Sequence, residues 1–175
     1  MHRVAFVGSL ILIALPLTFT KPPQYAVEKC CGTKHADCCM ESIRFSRPLH
    51  CDTMELRSKI TIIDCIQSEM YGFAQLSALN FTDVTCCDVF ADNDNDAESE
   101  CENVCVAVMQ MAGLRNDRKL RKIKTCMKRN PLYRCFLRCV QWNHESSAAF
   151  VFEEHCSWRN KMLPGKLYLG DELRV

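Results

Sequence analysis

The sequence predicts an all-α fold: a compact disulfide-braced bundle of about five to six helices behind an irregular, cystine-linked N-terminal segment. Three observations predict it. Apolar residues recur at helical spacing along most of the chain after Cys51. Alternating, strand-like runs are few, and no Asn-Gly hairpin occurs. Finally, 14 cysteines all lie downstream of an apolar leader.

That leader comes first. His2 and Arg3 precede an apolar run from Val4 to Phe19, too short for a comfortable membrane span and containing Pro16. Residues 1–20 are therefore expected to be a signal peptide, leaving 21–175 as a single disulfide-rich helical domain. No later segment is apolar for long enough to cross a bilayer, so the expected location is secreted and extracellular, with no stable membrane insertion.

An even cysteine count in an exported chain argues for up to seven disulfides among Cys30, Cys31, Cys38, Cys39, Cys51, Cys65, Cys86, Cys87, Cys101, Cys105, Cys126, Cys135, Cys139 and Cys156. Neighbouring cysteines rarely bond each other, so each doublet (30/31, 38/39 and 86/87) should send its bridges to two distant places. Sequence leaves the pairing open.

Residues 21–51 read as the irregular lead-in. Asp52 with Glu55 forms a capping box for a helix up to Tyr71, with Leu56, Ile60, Ile63, Ile66, Gln67 and Met70 at helical spacing and Gly72 as its stop. A second helix is expected over residues 98–112, with Cys101 and Cys105 on one face and Gly113 as its left-handed C-terminal residue. A third follows Asp117, carrying Leu120, Ile123 and Met127. A fourth starts at Asn130 and Pro131, with Leu132, Cys135, Phe136, Cys139 and Val140 on one side. A fifth runs over 147–158. Pro164 and Gly165 then break the chain before a C-terminal tail, 166–175, whose Tyr168 is a candidate lid.

Charge patterning is uneven. Residues 88–102 hold seven acidic side chains and no basic one; residues 115–138 hold ten basic side chains and one acid. Two solvated surfaces explain this simply; an acidic partner or a self-complementary homodimer contact is the sharper reading. The net charge of +1 gives no global field for nucleic acid, and the basic stretch lacks interleaved aromatics.

Three chemical motifs fail on spacing. In Cys30 to Cys39, His35 falls one residue late for the His–Asp pair of secreted phospholipases A2, and Asp37 is not adjacent to it. The same doublets lack C-x-x-C zinc spacing, and an oxidising compartment favours disulfides over thiolates. Asp92 to Asp96 resembles an EF-hand start, but Ala97 and Asn103 stand where glycine and glutamate are needed. His50, His144 and His155 sit in no recognisable catalytic pattern. The expectation is a protein that is not an enzyme, with no catalytic residue, metal or cofactor. Asn80-Phe81-Thr82 makes Asn80 a candidate N-glycosylation acceptor.

The stretch 100–114, with its C-x-x-x-C and apolar face, the Cys126–Cys135 spacing, the doublet-then-cysteine opening 36–51 and Cys156 together resemble insect odorant-binding proteins of the extra-cysteine plus-C branch. The resemblance implies a secreted carrier that reversibly binds small hydrophobic, odorant- or pheromone-like molecules in an internal apolar cavity, with a chemoreceptor as a protein partner. Disulfide-locked helices tolerate such a cavity. Its lining candidates are Ile63, Ile66, Met109, Met111, Leu120, Ile123, Met127, Phe136, Val140, Phe150 and Phe152. The alternative is a secreted cystine-rich helical module that binds a protein partner, as a receptor domain, an inhibitor, or a seminal or venom factor.

Overall fold

Proline opens the first helix. The structure, a computed structural model, describes residues 21–91, 100–128 and 132–156. The expected leader, the acidic run 92–99, Pro131 and the C-terminal tail with Tyr168 lie outside the described residues. Residues 21–51 are not irregular, contrary to expectation: they contain α1, Pro23–Phe45, with Pro23 at a first-turn position that needs no N–H. Its apolar periodicity is weak because cysteines and polar residues fill the faces, which hid it from the spacing argument.

α1 is broken at Gly32, whose φ of 62° and ψ of 172° are open to glycine alone. The break has a covalent purpose. Cys31 and Cys39 are 8 residues apart and bridged, with Cα atoms 6.5 Å from each other. A straight helix would put them about 12 Å apart along its axis. Gly32→Ala meets no atom within 4 Å of the added Cβ, so only backbone strain opposes it. It is expected to cost about 1–3 kcal/mol in denaturant unfolding, with no change in the disulfide map.

α2 spans Leu56–Tyr71, and Glu55 at its N-cap makes no side-chain cap bond. The expected Asp52–Glu55 capping box does not form. Instead the Met54 amide closes a turn onto the Cys51 carbonyl at 3.2 Å, and Thr53 takes a left-handed φ of 69°. α3, Ala74–Ala78, and a 3-10 helix, Phe81–Phe90, follow. The 3-10 helix carries a capping box of its own. Asn80 accepts from the Thr82 amide, and Asp83 accepts from the Asn80 amide at 2.9 Å.

α4 is Glu100–Met109 and α5 is Asn116–Lys124, followed by a short 3-10 turn. α5 buries Asn116, Lys119 and Ile123; Leu120 is only half-buried, and the Met127 side chain lies outside the described residues. α6 is Tyr133–Glu145, with Cys135, Phe136, Cys139 and Val140 buried as the spacing requires. The fifth expected helix is reduced to α7, Phe152–His155, and Trp158 lies outside the described residues.

Two cores result. The first lobe packs α1 on α2 through Val27, Ile43, Leu49, Ile63 and Ile66. The second packs the long 3-10 helix, α4, α5 and α6 around Phe90, Met109, Ile123 and Phe136, with the Phe90 and Phe136 rings 5.8 Å apart. The disulfides respect this division. Cys30–Cys65, Cys31–Cys39 and Cys38–Cys51 brace the first lobe. Cys86–Cys139, Cys87–Cys105 and Cys135–Cys156 brace the second. Each doublet sends its bridges to two places, as expected, although Cys31–Cys39 is local. Cys101 Sγ lies 3.6 Å from the Cys126 carbonyl. Among the described residues no disulfide joins one lobe to the other.

Candidate functional site: a clamped body with an exposed aromatic end

Among the described residues no bridge crosses between the lobes; the apolar side chains of Phe81, Val84 and Ala112 and a set of polar side chains join them. The Gln110–Arg115 loop between α4 and α5 is grasped from the first lobe along its length. The Leu49 amide donates to the Gln110 carbonyl at 2.9 Å, and Lys59 Nζ donates to Gln110 Oε1 at 2.8 Å. Gln67 Nε2 donates to the carbonyls of Ala112 and Leu114, and the Tyr71 hydroxyl donates to the Gly113 carbonyl at 2.6 Å. Asn116 Nδ2 donates to the Gln75 carbonyl at 2.7 Å and the Leu79 carbonyl at 2.5 Å. Gln67 and Asn116 are buried, so each bond forms where water does not compete.

Gly113 is not the left-handed terminator that the sequence suggests; α4 ends at Met109, and among the described glycines positive φ belongs to Gly32 and Gly72. Gly113 is there for closeness: an added Cβ would lie 2.7 Å from Ile43 Cα and 2.8 Å from its carbonyl oxygen.

Within the second lobe, Lys119 ties α5 to the end of α4, donating to the Met109 carbonyl at 3.1 Å from a buried position. Burial lowers its pKa from 10.5 to about 8, partly offset by the Asp64 carboxylate. The unfolded chain therefore holds this proton more tightly. The penalty is complete below about pH 8 and fades as pH rises toward 10.5. Lys119→Met is expected to flatten that rise, worth about 2 kcal/mol between pH 8 and pH 10, in denaturant-unfolding free energies measured at the two pH values.

A second polar knot ties α6 to the elements before it. Asp83 is fully buried and accepts from His144 Nε2 at 2.9 Å, while His144 Nδ1 faces the Ser77 carbonyl at 2.9 Å. Asp64, whose carboxyl is pushed up by burial, accepts from the Phe81 amide at 2.8 Å. Asn80 Nδ2 sits 3.2 Å from His144 Nε2. His144, without a motif in the sequence, is thus a structural tie.

The surface is most unusual at the end of α1. Ser46 takes a left-handed φ of 49°, so its amide and that of Arg47 turn back onto the Ile43 and Ser42 carbonyls at 3.3 and 3.0 Å. Ser42 Oγ donates to the Arg47 carbonyl at 2.8 Å. Phe45, the last residue of α1 before this cap, lies on its outer side, 55% exposed. The guanidinium carbons of Arg44 and Arg47 lie 5.5 and 5.3 Å from the ring centroid, and Glu41 holds Arg47 at 3.3 Å. Phe73 and Leu56 are also strongly exposed. Sequence reasoning missed Phe45, since apolar character alone does not say which residue stays outside.

The residues expected to line one cavity fall into both cores. Ile63 and Ile66 are buried in the first lobe. Met109, Ile123, Phe136 and Val140 are buried in the second, with Met111, Leu120, Phe150 and Phe152 packed at its edge. Asp37 is exposed and His35 half-buried beside their cystines. Among the described residues no cluster of His, Cys, Asp or Glu could hold a metal, and no helix is long and apolar enough to cross a membrane.

Comparison with known proteins gives a consistent answer. The family model described as Caenorhabditis elegans Her-1 matches residues 21–160. Protein her-1 of Caenorhabditis elegans is 30% identical over 136 residues, covering 75% of this chain and 78% of that protein. The crystal structure of C. elegans HER-1 superposes with a TM-score of 0.66 at 29% identity, covering 76% of this chain and 96% of that one. These likenesses overturn the resemblance to insect odorant-binding proteins, which rested on cysteine spacings that any cystine-braced helix pair can share. The support for an odorant carrier goes with it. The chain belongs to the Caenorhabditis elegans Her-1 family.

Proposed function

We propose that this chain is an extracellular protein ligand that acts, without chemistry of its own, by docking onto a protein partner through the Phe45 end of α1. One observation carries the reading: a largely exposed aromatic ring held between two arginines on a rigid helix cap. Aromatic and arginine side chains dominate binding hot spots, and a preorganised anchor loses little entropy when it docks. Three bridges in each lobe suit an oxidising, extracellular setting. The polar clamp keeps the two lobes in one arrangement, which a docking surface needs.

The test is a binding series on intact cells of the source animal with labelled, fully oxidised protein. Phe45→Ala is expected to weaken binding about 30-fold, the effect of a hot spot of about 2 kcal/mol. Arg44→Ala with Arg47→Ala should follow it, while His35→Ala leaves binding unchanged. Equal binding by wild type and Phe45→Ala would refute this docking surface.

A further inference from the structure

α5 presents a second surface of a different kind. Its inner face uses Asn116, Lys119 and Ile123. The exposed residues along it and just before it are all charged: Arg115, Asp117, Arg118, Arg121, Lys122 and Lys124. Asp117 gathers two of these cations, Arg115 at 2.5 and 3.0 Å and Arg121 at 2.9 Å. Arg118, Lys122 and Lys124 have no acidic side chain within ion-pairing distance among the described residues. Five cations therefore face solvent along nine residue steps, about 14 Å of helix.

The chemistry of the face selects its ligand. A protein interface wants an apolar or aromatic centre to desolvate, and this face exposes none. Single-stranded nucleic acid would want aromatics for base stacking, and none stands among the exposed residues of α5; duplex nucleic acid is not an abundant extracellular polymer. A linear polyanion needs neither: it binds by charge and by release of its own counterions. Among extracellular linear polyanions the sulfated polysaccharides carry the highest density of charge. We propose that the exposed face of α5 binds a sulfated polysaccharide, with Arg118, Lys122 and Lys124 as the anion contacts and Asp117 as the residue that orders Arg115 and Arg121 beside them. This goes beyond the partner-docking reading and does not depend on it, since Phe45 takes no part.

The experiment is equilibrium binding of the full oxidised chain to immobilised heparin at graded salt. Wild type is expected to bind at physiological ionic strength and to release as salt rises. The triple variant Arg118→Gln, Lys122→Gln, Lys124→Gln should bind at least about tenfold more weakly, as the loss of three exposed ion pairs implies, with a shallower salt slope. A control of equal charge loss elsewhere, Lys34→Gln, Arg57→Gln, Arg138→Gln, should bind like wild type. Circular dichroism checks that all three proteins are folded. The proposal fails if the control loses as much affinity as the triple variant. It fails equally if desulfated heparin, polyglutamate or phosphatidylserine vesicles bind as tightly as heparin, or if wild type does not bind. The Phe45→Ala protein should bind heparin normally, so failure here and failure of the partner surface are separately visible.

Discussion

Gly113→Ala is expected to be among the most damaging single substitutions in the protein. The new methyl would enter the space of Ile43 Cα and its carbonyl, at 2.7 and 2.8 Å. These are backbone atoms, so no side-chain rotation relieves the overlap, and truncating the Ile43 side chain would not rescue it. Overpacking of this kind costs about 3 kcal/mol or somewhat more. The position makes it worse. The Gly113 carbonyl accepts the Tyr71 hydroxyl, and its neighbours Ala112 and Leu114 accept Gln67. With no disulfide between the lobes among the described residues, pushing this loop away loosens the join itself. Thermal unfolding with all bridges intact should show a fall of about 6–12 °C. A melting temperature within a degree of wild type would mean that the lobes are not held together here.

Removing Cys86–Cys139 should have the largest effect among the disulfides. The bridge closes a separation of 53 residues and joins the long 3-10 helix to α6, with both cysteines buried. Loop-closure entropy assigns it about 4 kcal/mol, against about 2.5 kcal/mol for the 8-residue Cys31–Cys39 link. The bridge also lies against the Asp83–His144 knot, since Asn143 Nδ2 sits 3.4 Å from Cys86 Sγ and 3.4 Å from Asp83 Oδ1. The Cys86→Ala, Cys139→Ala protein should therefore unfold at markedly lower denaturant than the Cys31→Ala, Cys39→Ala protein. The reverse order would show that the local bracing of α1, rather than the long-range link, dominates stability.

Much of the second lobe was legible because its helices carry clean amphipathic stripes. The buried set Cys135, Phe136, Cys139 and Val140 on α6 follows directly from their three- and four-residue spacing. α1 was not legible, because its helix is held by cystines and interrupted at Gly32 rather than announced by an apolar face. Pro22-Pro23 was the available signal. Likewise Asn80 and Asp83 stand three apart, a capping signature masked by the overlapping Asn80-Phe81-Thr82 glycosylation motif. The join between the lobes depends on Gln67, Tyr71 and Asn116, polar residues on helices. Their buried partners are backbone carbonyls distant in sequence, which no local pattern reveals. The candidate partner surface was hidden for the complementary reason. Phe45 looks like any core aromatic until the helix places it on the outer side of the last turn of α1.

The most direct test of the functional account is saturation binding of the labelled, fully oxidised protein to intact cells of the source animal, before and after surface proteins are stripped by protease. With excess heparin present to occupy the α5 face, the account predicts saturable binding that unlabelled protein displaces and that proteolysis abolishes. Binding that never saturates, or that survives removal of surface proteins, would contradict it.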